Sequence, residues 1–315
     1  MTQLLHTQAS AIVVAHTQLA LTPGAPQRLQ ALFNPSQTLD RGILADTVCA
    51  AARLACLALD FCEADALCIA QAWQHQTFRT GRFDAAAWPC AAQDFGLSQP
   101  DAAHAFAPCI QRLGLYAVLP DAQWVGRLAR AGVPTLQLRF KSDDPAAVAR
   151  EVRAAVQAVL GTPALLFIND HWQAAIDAGA YGVHLGQEDL NGVNAANLAS
   201  IRAAGLRLGL SSHGYAEMLR AAAVGPSYIA LGAVYATTLK RMATPPQGVE
   251  RLNKYAQVLR NFSTVAIGGI DLARLDEVLK SGVGSVAVVR ALVAAEQPEA
   301  MVAAFQRAWA QTPLF

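Results

Sequence analysis

From Leu113 onward, short apolar runs alternate with longer stretches whose apolar residues recur at three- and four-residue spacing. The runs are LGLYAVL (113–119), TLQLRFK (135–141), ALLFIND (164–170), GVHLGQ (182–187), RLGLSSH (207–213), YIALGAV (228–234), TVAIGGI (264–270) and SVAVVRAL (285–292). Runs of this kind predict buried strands. The stretches between them include DAQWVGRLARAG, DPAAVAREVRAAVQAVL, NAANLASIRAAG and DLARLDEVLKSG. They predict helices, several opening on Asp or Asn and closing on Gly, as capping chemistry prefers. Eight evenly spaced β/α units predict a closed (β/α)8 barrel rather than an open doubly wound sheet.

The chain ahead of residue 113 reads differently. Ala11–Ala15 predicts a short strand, and the Pro, Gly and Asn content of Thr22–Asp40 predicts loop. Residues 42–60 and Glu63–Phe78 predict two helices, and Trp88–Pro108 an irregular linker. All six cysteines precede residue 110, and none forms C-x-x-C. They read as buried thiols of a reducing compartment rather than disulfides or metal ligands. The expected division is a small, mainly helical N-terminal region, 1–110, followed by a barrel, 111–315.

With 315 residues, 54% hydrophobic and 15% charged, the chain can bury a large core in one or two domains. A net charge of +1 argues against a nucleic-acid partner. No apolar run reaches the ~18 residues of a membrane span. The opening MTQLLHTQAS lacks a secretory pattern, so the expectation is a cytoplasmic protein. A homo-oligomer is left open.

Candidate chemistry gathers where the strands end, the face on which barrels carry their sites. Asp170 closes the third run and Asp189 follows the fourth, with a short helix, His171–Ala178, between them. Two carboxylates at one edge of a parallel sheet can share Mg2+, a hard cation that prefers oxygen ligands. The competing reading of Asp170 is a helix N-cap. The same rim collects Gln137, Arg139, Lys141, Asn169, Gln187, Ser211, His213, Thr237, Thr238, Lys240, Gly268, Gly269 and Arg290. Cations, amides, hydroxyls and a glycine pair opposite two acids suit a phosphate ester with a metal. Gly268-Gly269 reads either as backbone N–H donors to phosphate or as close packing. Mid-strand His184 reads as structural, and His171 as a surface residue.

The motifs QLRFK, FINDHW, GVHLGQEDL, GLSSH, ALGAVYATTLK, PPQG and VAIGGI resemble the thiamine phosphate synthase family over residues 113–310. The resemblance implies a transferase that joins hydroxymethylpyrimidine diphosphate to thiazole phosphate, releases pyrophosphate and uses Mg2+. It implies a dissociative reaction in which diphosphate leaves before the thiazole nitrogen attacks. By matching motif, Asp170 and Asp189 hold Mg2+, and Arg139, Lys141, Asn169 and Lys240 bind diphosphate oxygens beside Gln137. Ser211 touches the pyrimidine, and Thr237 the thiazole phosphate. Gly269 and the Val289-Arg290 backbone close that pocket. The chain departs from the family at Leu239, a threonine there, and at Arg290, often serine. Thr238 or Arg290 is expected to replace the lost hydroxyl. Tyr235–Gly248, which carries Lys240, is the expected closing loop. Two alternatives are a thiazole tautomerase-like isomerase and a non-catalytic binding or regulatory protein. Residues 11–80 resemble the C-terminal helical part of hydroxymethylpyrimidine phosphate kinases. The glycine-rich anion turn of those kinases falls on LDRGIL, where only Gly42 remains, so this region is expected to be non-catalytic.

Overall fold

The computed structural model describes residues 2–33, 47–98, 105–109, 112–237 and 244–312. Thr238, Leu239 and Lys240 lie outside the described residues. The chain forms two compact units, one of Met1–Gln99 with Gly214–Leu219, the other of Pro100–His213 with Arg220–Phe315.

The first unit is helical: α1 (Thr2–Ala15), α2 (Ala25–Leu32), α3 (Thr47–Ala58) and α4 (Glu63–Thr80). The expected strand at Ala11–Ala15 is instead the last turn of α1. Leu5, Ala9, Ile12 and Val13 are buried while Val14 is 71% exposed. That spacing puts one stripe on a helix face, and burial of the stripe overrides the β-branched propensity of the segment. The stretch from Thr22 to Asp40 also holds a helix rather than only loop. α2 starts after Gly24, with Pro26 in its first turn, where the missing N–H costs nothing. Asp60, in left-handed backbone at φ 65°, accepts from Leu21 N, Thr22 N, Thr22 Oγ1 and Arg28 Nη2. Trp88 begins the expected linker but is buried, its ring 5.2 Å from that of Trp73 and 5.7 Å from that of Phe61.

In the second unit eight parallel strands close in sequence order, β1 pairing with β8. They are β1 (Gly114–Leu119), β2 (Thr135–Leu138), β3 (Leu165–Asn169), β4 (Gly182–Leu185), β5 (Arg207–Ser212), β6 (Tyr228–Leu231), β7 (Thr264–Ile267) and β8 (Ser285–Val288). Between and after them come α5 (Ala122–Arg130), α6 (Pro145–Ala158), α7 (Trp172–Ala178), α8 (Gln187–Gly192), α9 (Ala195–Ala203), α10 (Tyr215–Ala223), α11 (Gly248–Val258), α12 (Leu275–Lys280), α13 (Arg290–Val293) and α14 (Pro298–Gln311). The expected barrel is therefore present. Asp121, Asp144 and Asn194 cap α5, α6 and α9 by accepting from Trp124 N, Ala146 N and Asn197 N. Among the described residues no helix is long and apolar enough to cross a membrane.

Strand residues two apart line one face. Tyr116 and Val118, Phe167, Tyr228 and Ala230, Val265 and Ala287 form one buried apolar cluster. Their neighbours Ala117, Leu166, Ile229 and Val286 lie on the opposite face of the same strands. The cluster face carries Gln137, Asn169, His184 and Ser211 on β2 to β5, the residue nearest each strand's C-terminal end on that face. Four consecutive strands thus exchange an apolar core for polar groups at one end of the barrel.

Candidate active site

The polar end of the barrel is knit by hydrogen bonds between successive strands. Gln137 Nε2 donates to Asn169 Oδ1 at 3.3 Å, and both residues are buried. Lys141 Nζ lies 2.9 Å from Asp170 Oδ2. Gln187 Nε2 donates to Ser211 O at 2.7 Å, and Arg220 Nη1 to Gln187 Oε1 at 3.4 Å. Arg139 is held by its own backbone, which donates to Leu119 O across β1 at 2.7 Å. Its side chain has no hydrogen-bond or ion partner among the described residues, so the guanidinium is available to a ligand.

Asp170 is not a helix N-cap. His171 occupies that position for α7, and Asp170 adopts φ 65°. Left-handed backbone is uncommon for a residue with a side chain and is concentrated where function requires it. Here it turns the chain out of β3 while Asp170 N donates to His184 O at 2.9 Å. Asp189 is likewise not at a strand end. It sits in the first turn of α8, where its Oδ2 accepts from Gly186 N at 3.0 Å.

The two carboxyls are close enough for the charge of one to shift the other. Burial pushes the Asp170 carboxyl up, but the Lys141 ammonium, together with Asp189 and His184, brings it below its ordinary value. Burial, and then the negative charge of Asp170, raise Asp189. A pair of acids in this state is relieved by a cation as well as by a proton. Among the described residues no group of three His, Cys, Asp or Glu could hold a metal. Two hard oxygen donors nevertheless fit a Mg2+ ion that keeps water and substrate oxygens as its remaining ligands.

The second half of the rim is Thr237, Gly269, Val289 and Arg290. Gly268 and Gly269 take φ 106° and 65°. A Cβ at Gly269 would come within 2.6 Å of Ala236 O, and one at Gly268 within 2.6 Å of Ala233 Cα. Close approach to the segment after β6 is thus one requirement for this glycine pair. Arg274 Nη1 donates to Gly269 O and its guanidinium lies 4.5 Å over the Tyr235 ring. The Tyr235 hydroxyl donates to Glu277 at 2.9 Å, and burial, then Glu277, push it up to about 12. Val289 caps α13 and Arg290 is its first residue. The Arg290 side chain is exposed.

Tyr228 escapes the sequence reading, whereas His184 reads there as structural and Gln187 as a rim residue. His184 is bonded at both ring nitrogens, Nδ1 to Tyr228 Oη at 2.8 Å and Nε2 to Ser211 Oγ at 2.9 Å. Gln187 holds the Ser211 backbone. The only sequence signal for Tyr228 is indirect: it pairs in register with Gly209, and a glycine inside a strand marks close approach by a neighbour. His171, read as a surface residue, is partly buried with Nε2 3.3 Å from Phe140 O.

Comparison with known proteins bears on this geometry. Residues 115–292 match the family model described as thiamine monophosphate synthase. The thiamine-phosphate synthase of Neisseria gonorrhoeae is 52% identical over 204 residues, covering 65% of this chain and 98% of the relative. That of Yersinia pestis is 49% identical over 201 residues, 64% of this chain and 89% of the relative. Among solved structures, thiamine phosphate pyrophosphorylase from Pyrococcus furiosus is 27% identical with a TM-score of 0.57. That match covers 65% of this chain and 99% of the neighbour. The chain belongs to the thiamine monophosphate synthase family of enzymes.

Proposed function

We propose that this enzyme couples hydroxymethylpyrimidine diphosphate to thiazole phosphate, giving thiamine phosphate and pyrophosphate, with Mg2+ bound at Asp170 and Asp189. The observation that carries the reading is the Lys141–Asp170 ion pair at the end of β3, with the Asp189 carboxyl close enough to be raised by the Asp170 charge. Cations and a metal-ready acid pair on one rim suit a diphosphate leaving group. Bound there, Mg2+ would neutralise charge on the diphosphate. Arg139, Lys141, Asn169 and Lys240 bind its oxygens in this reading, with Gln137 alongside and Ser211 at the pyrimidine. Thr237, Thr238, Gly269, Val289 and Arg290 receive the thiazole phosphate. The reaction is dissociative, so the site's work is charge neutralisation and alignment of two reactants rather than proton transfer. Residues 1–110 are a non-catalytic appendage in this reading.

The test is pyrophosphate release by the full chain given both substrates, first with Mg2+ and then with EDTA. Metal-dependent release matched by thiamine phosphate is the expected result. A folded protein that binds both substrates without turnover would overturn the proposal and favour a regulatory role.

A further inference from the structure

We propose that Tyr116, Tyr228 and His184 form a one-way hydrogen-bond chain that fixes Ser211 as a donor toward substrate, with His184 and Tyr228 as positioning residues. The substrate part of this rests on the transferase reading above; the direction of the chain does not.

Three contacts make the chain. Tyr116 Oη lies 2.8 Å from Tyr228 Oη, Tyr228 Oη 2.8 Å from His184 Nδ1, and His184 Nε2 2.9 Å from Ser211 Oγ. Tyr228 is fully buried, Tyr116 is 2% exposed and His184 9%. The Tyr228 ring stacks on the imidazole at 19°, with centroids 5.7 Å apart. Gly209, opposite Tyr228 in register, makes the crossing feasible, because a Cβ there would lie 2.1 Å from Tyr228 Cζ.

The direction follows from counting protons. Among the described residues the Tyr116 hydroxyl has one partner, Tyr228. If Tyr228 donated to Tyr116, the Tyr116 proton would be stranded in an apolar core, which is costly. Tyr116 is therefore the donor, and Tyr228 passes its own proton to His184 Nδ1. A ring that accepts at Nδ1 is neutral and carries its proton on Nε2. An imidazolium fails for the same reason as the reversed chain, since it would force Tyr228 to donate to Tyr116. Nε2–H then donates to Ser211 Oγ, and the remaining Ser211 proton points away from the core. The substrate atom that Ser211 meets must be an acceptor. On the pyrimidine that is a ring nitrogen, not the exocyclic amino group.

The experiment labels the histidines of the full chain with 15N and assigns His184 by the signal lost in His184→Gln. The wild type is expected to show a neutral ring protonated at Nε2, and Tyr116→Phe to keep it, because Tyr228 still donates. Tyr228→Phe, which preserves ring volume, is expected to give mixed tautomers. It should also raise the KM for the pyrimidine diphosphate about fivefold, leaving the thiazole phosphate KM unchanged. Tyr116→Phe should stay within about twofold of wild type on both. A ring protonated at Nδ1, or a Tyr228→Phe variant unchanged in tautomer and KM, would overturn the proposal. The tautomer is read without substrate, so an inactive protein with His184 protonated at Nε2 would sink the transferase reading and uphold the chain.

Discussion

In the proposed site a proton and Mg2+ would compete for Asp189, and its environment sets the terms. Its charged form is disfavoured in the fold, so above its raised pKa the carboxylate costs stability, and that cost fades as pH falls and the group is protonated in folded and unfolded chains alike. Asp189→Asn keeps an oxygen for Gly186 N. In EDTA at neutral pH this variant is expected to melt at a higher temperature than wild type. The gain should vanish as pH falls through the ordinary carboxylate range, about 4, and pyrophosphate release should be lost. A lower melting temperature at neutral pH would contradict the repulsion argument. Asp170 has the opposite sign. Its lowered pKa means that the Lys141 pair contributes above the unfolded value and is lost as pH falls. With Lys141 60% exposed, that contribution is about 0–1 kcal/mol. At the other half of the rim, Arg290→Ala should raise the thiazole phosphate KM about tenfold if the guanidinium replaces the hydroxyl missing at Leu239. An unchanged KM would rule that compensation out.

At the scale of elements, burial was legible and pairing was not. Every apolar run after Leu113 contains a strand, yet the strands are shorter than the runs. β2 stops at Leu138, although the run continues through Lys141, and β6 stops at Leu231 rather than Val234. A hydrophobic run reports what is kept from water, whereas a strand ends where its neighbour no longer offers a partner. The same limit explains Asp189: GVHLGQEDL reads as strand plus tail, but α8 begins at Gln187 and makes the aspartate a first-turn residue. In α1 the error was of period, because five residues from Ala11 are too few to separate a strand from the end of a 14-residue helix. The segment after β7 gives an element-level prediction. Gly269→Ala puts a Cβ against Ala236 O in left-handed backbone, and should cost about 1–3 kcal/mol by urea denaturation while raising the thiazole phosphate KM. Unaltered stability would mean that the 233–237 segment moves without cost.

For the whole molecule, compact units and sequence segments do not coincide. Gly214–Leu219 belongs with the N-terminal helices although it lies 115 residues or more beyond Gln99. Within that unit Asp65 Oδ1 accepts from Ala216 N at 2.9 Å, in the first turn of α10, and a Cβ at Gly214 would lie 2.1 Å from the carboxylate. Asp65→Ala should therefore destabilise the full chain by about 1 kcal/mol, as loss of a helix cap does, measurable as a shift in the denaturation midpoint.

By itself the sequence determined the barrel, because eight β/α units that bury one face each have few other ways to cover it. It also marked the polar residues that gather at one end of the barrel, since polar residues at the ends of apolar strands stand out against their surroundings. Tertiary structure alone decided how these groups meet. The raised and lowered carboxylates, the left-handed turn at Asp170 and the Tyr116–Tyr228–His184–Ser211 chain depend on distances between residues up to 112 positions apart. Local pattern carries no information about those distances, and electrostatics and hydrogen bonding are set by them.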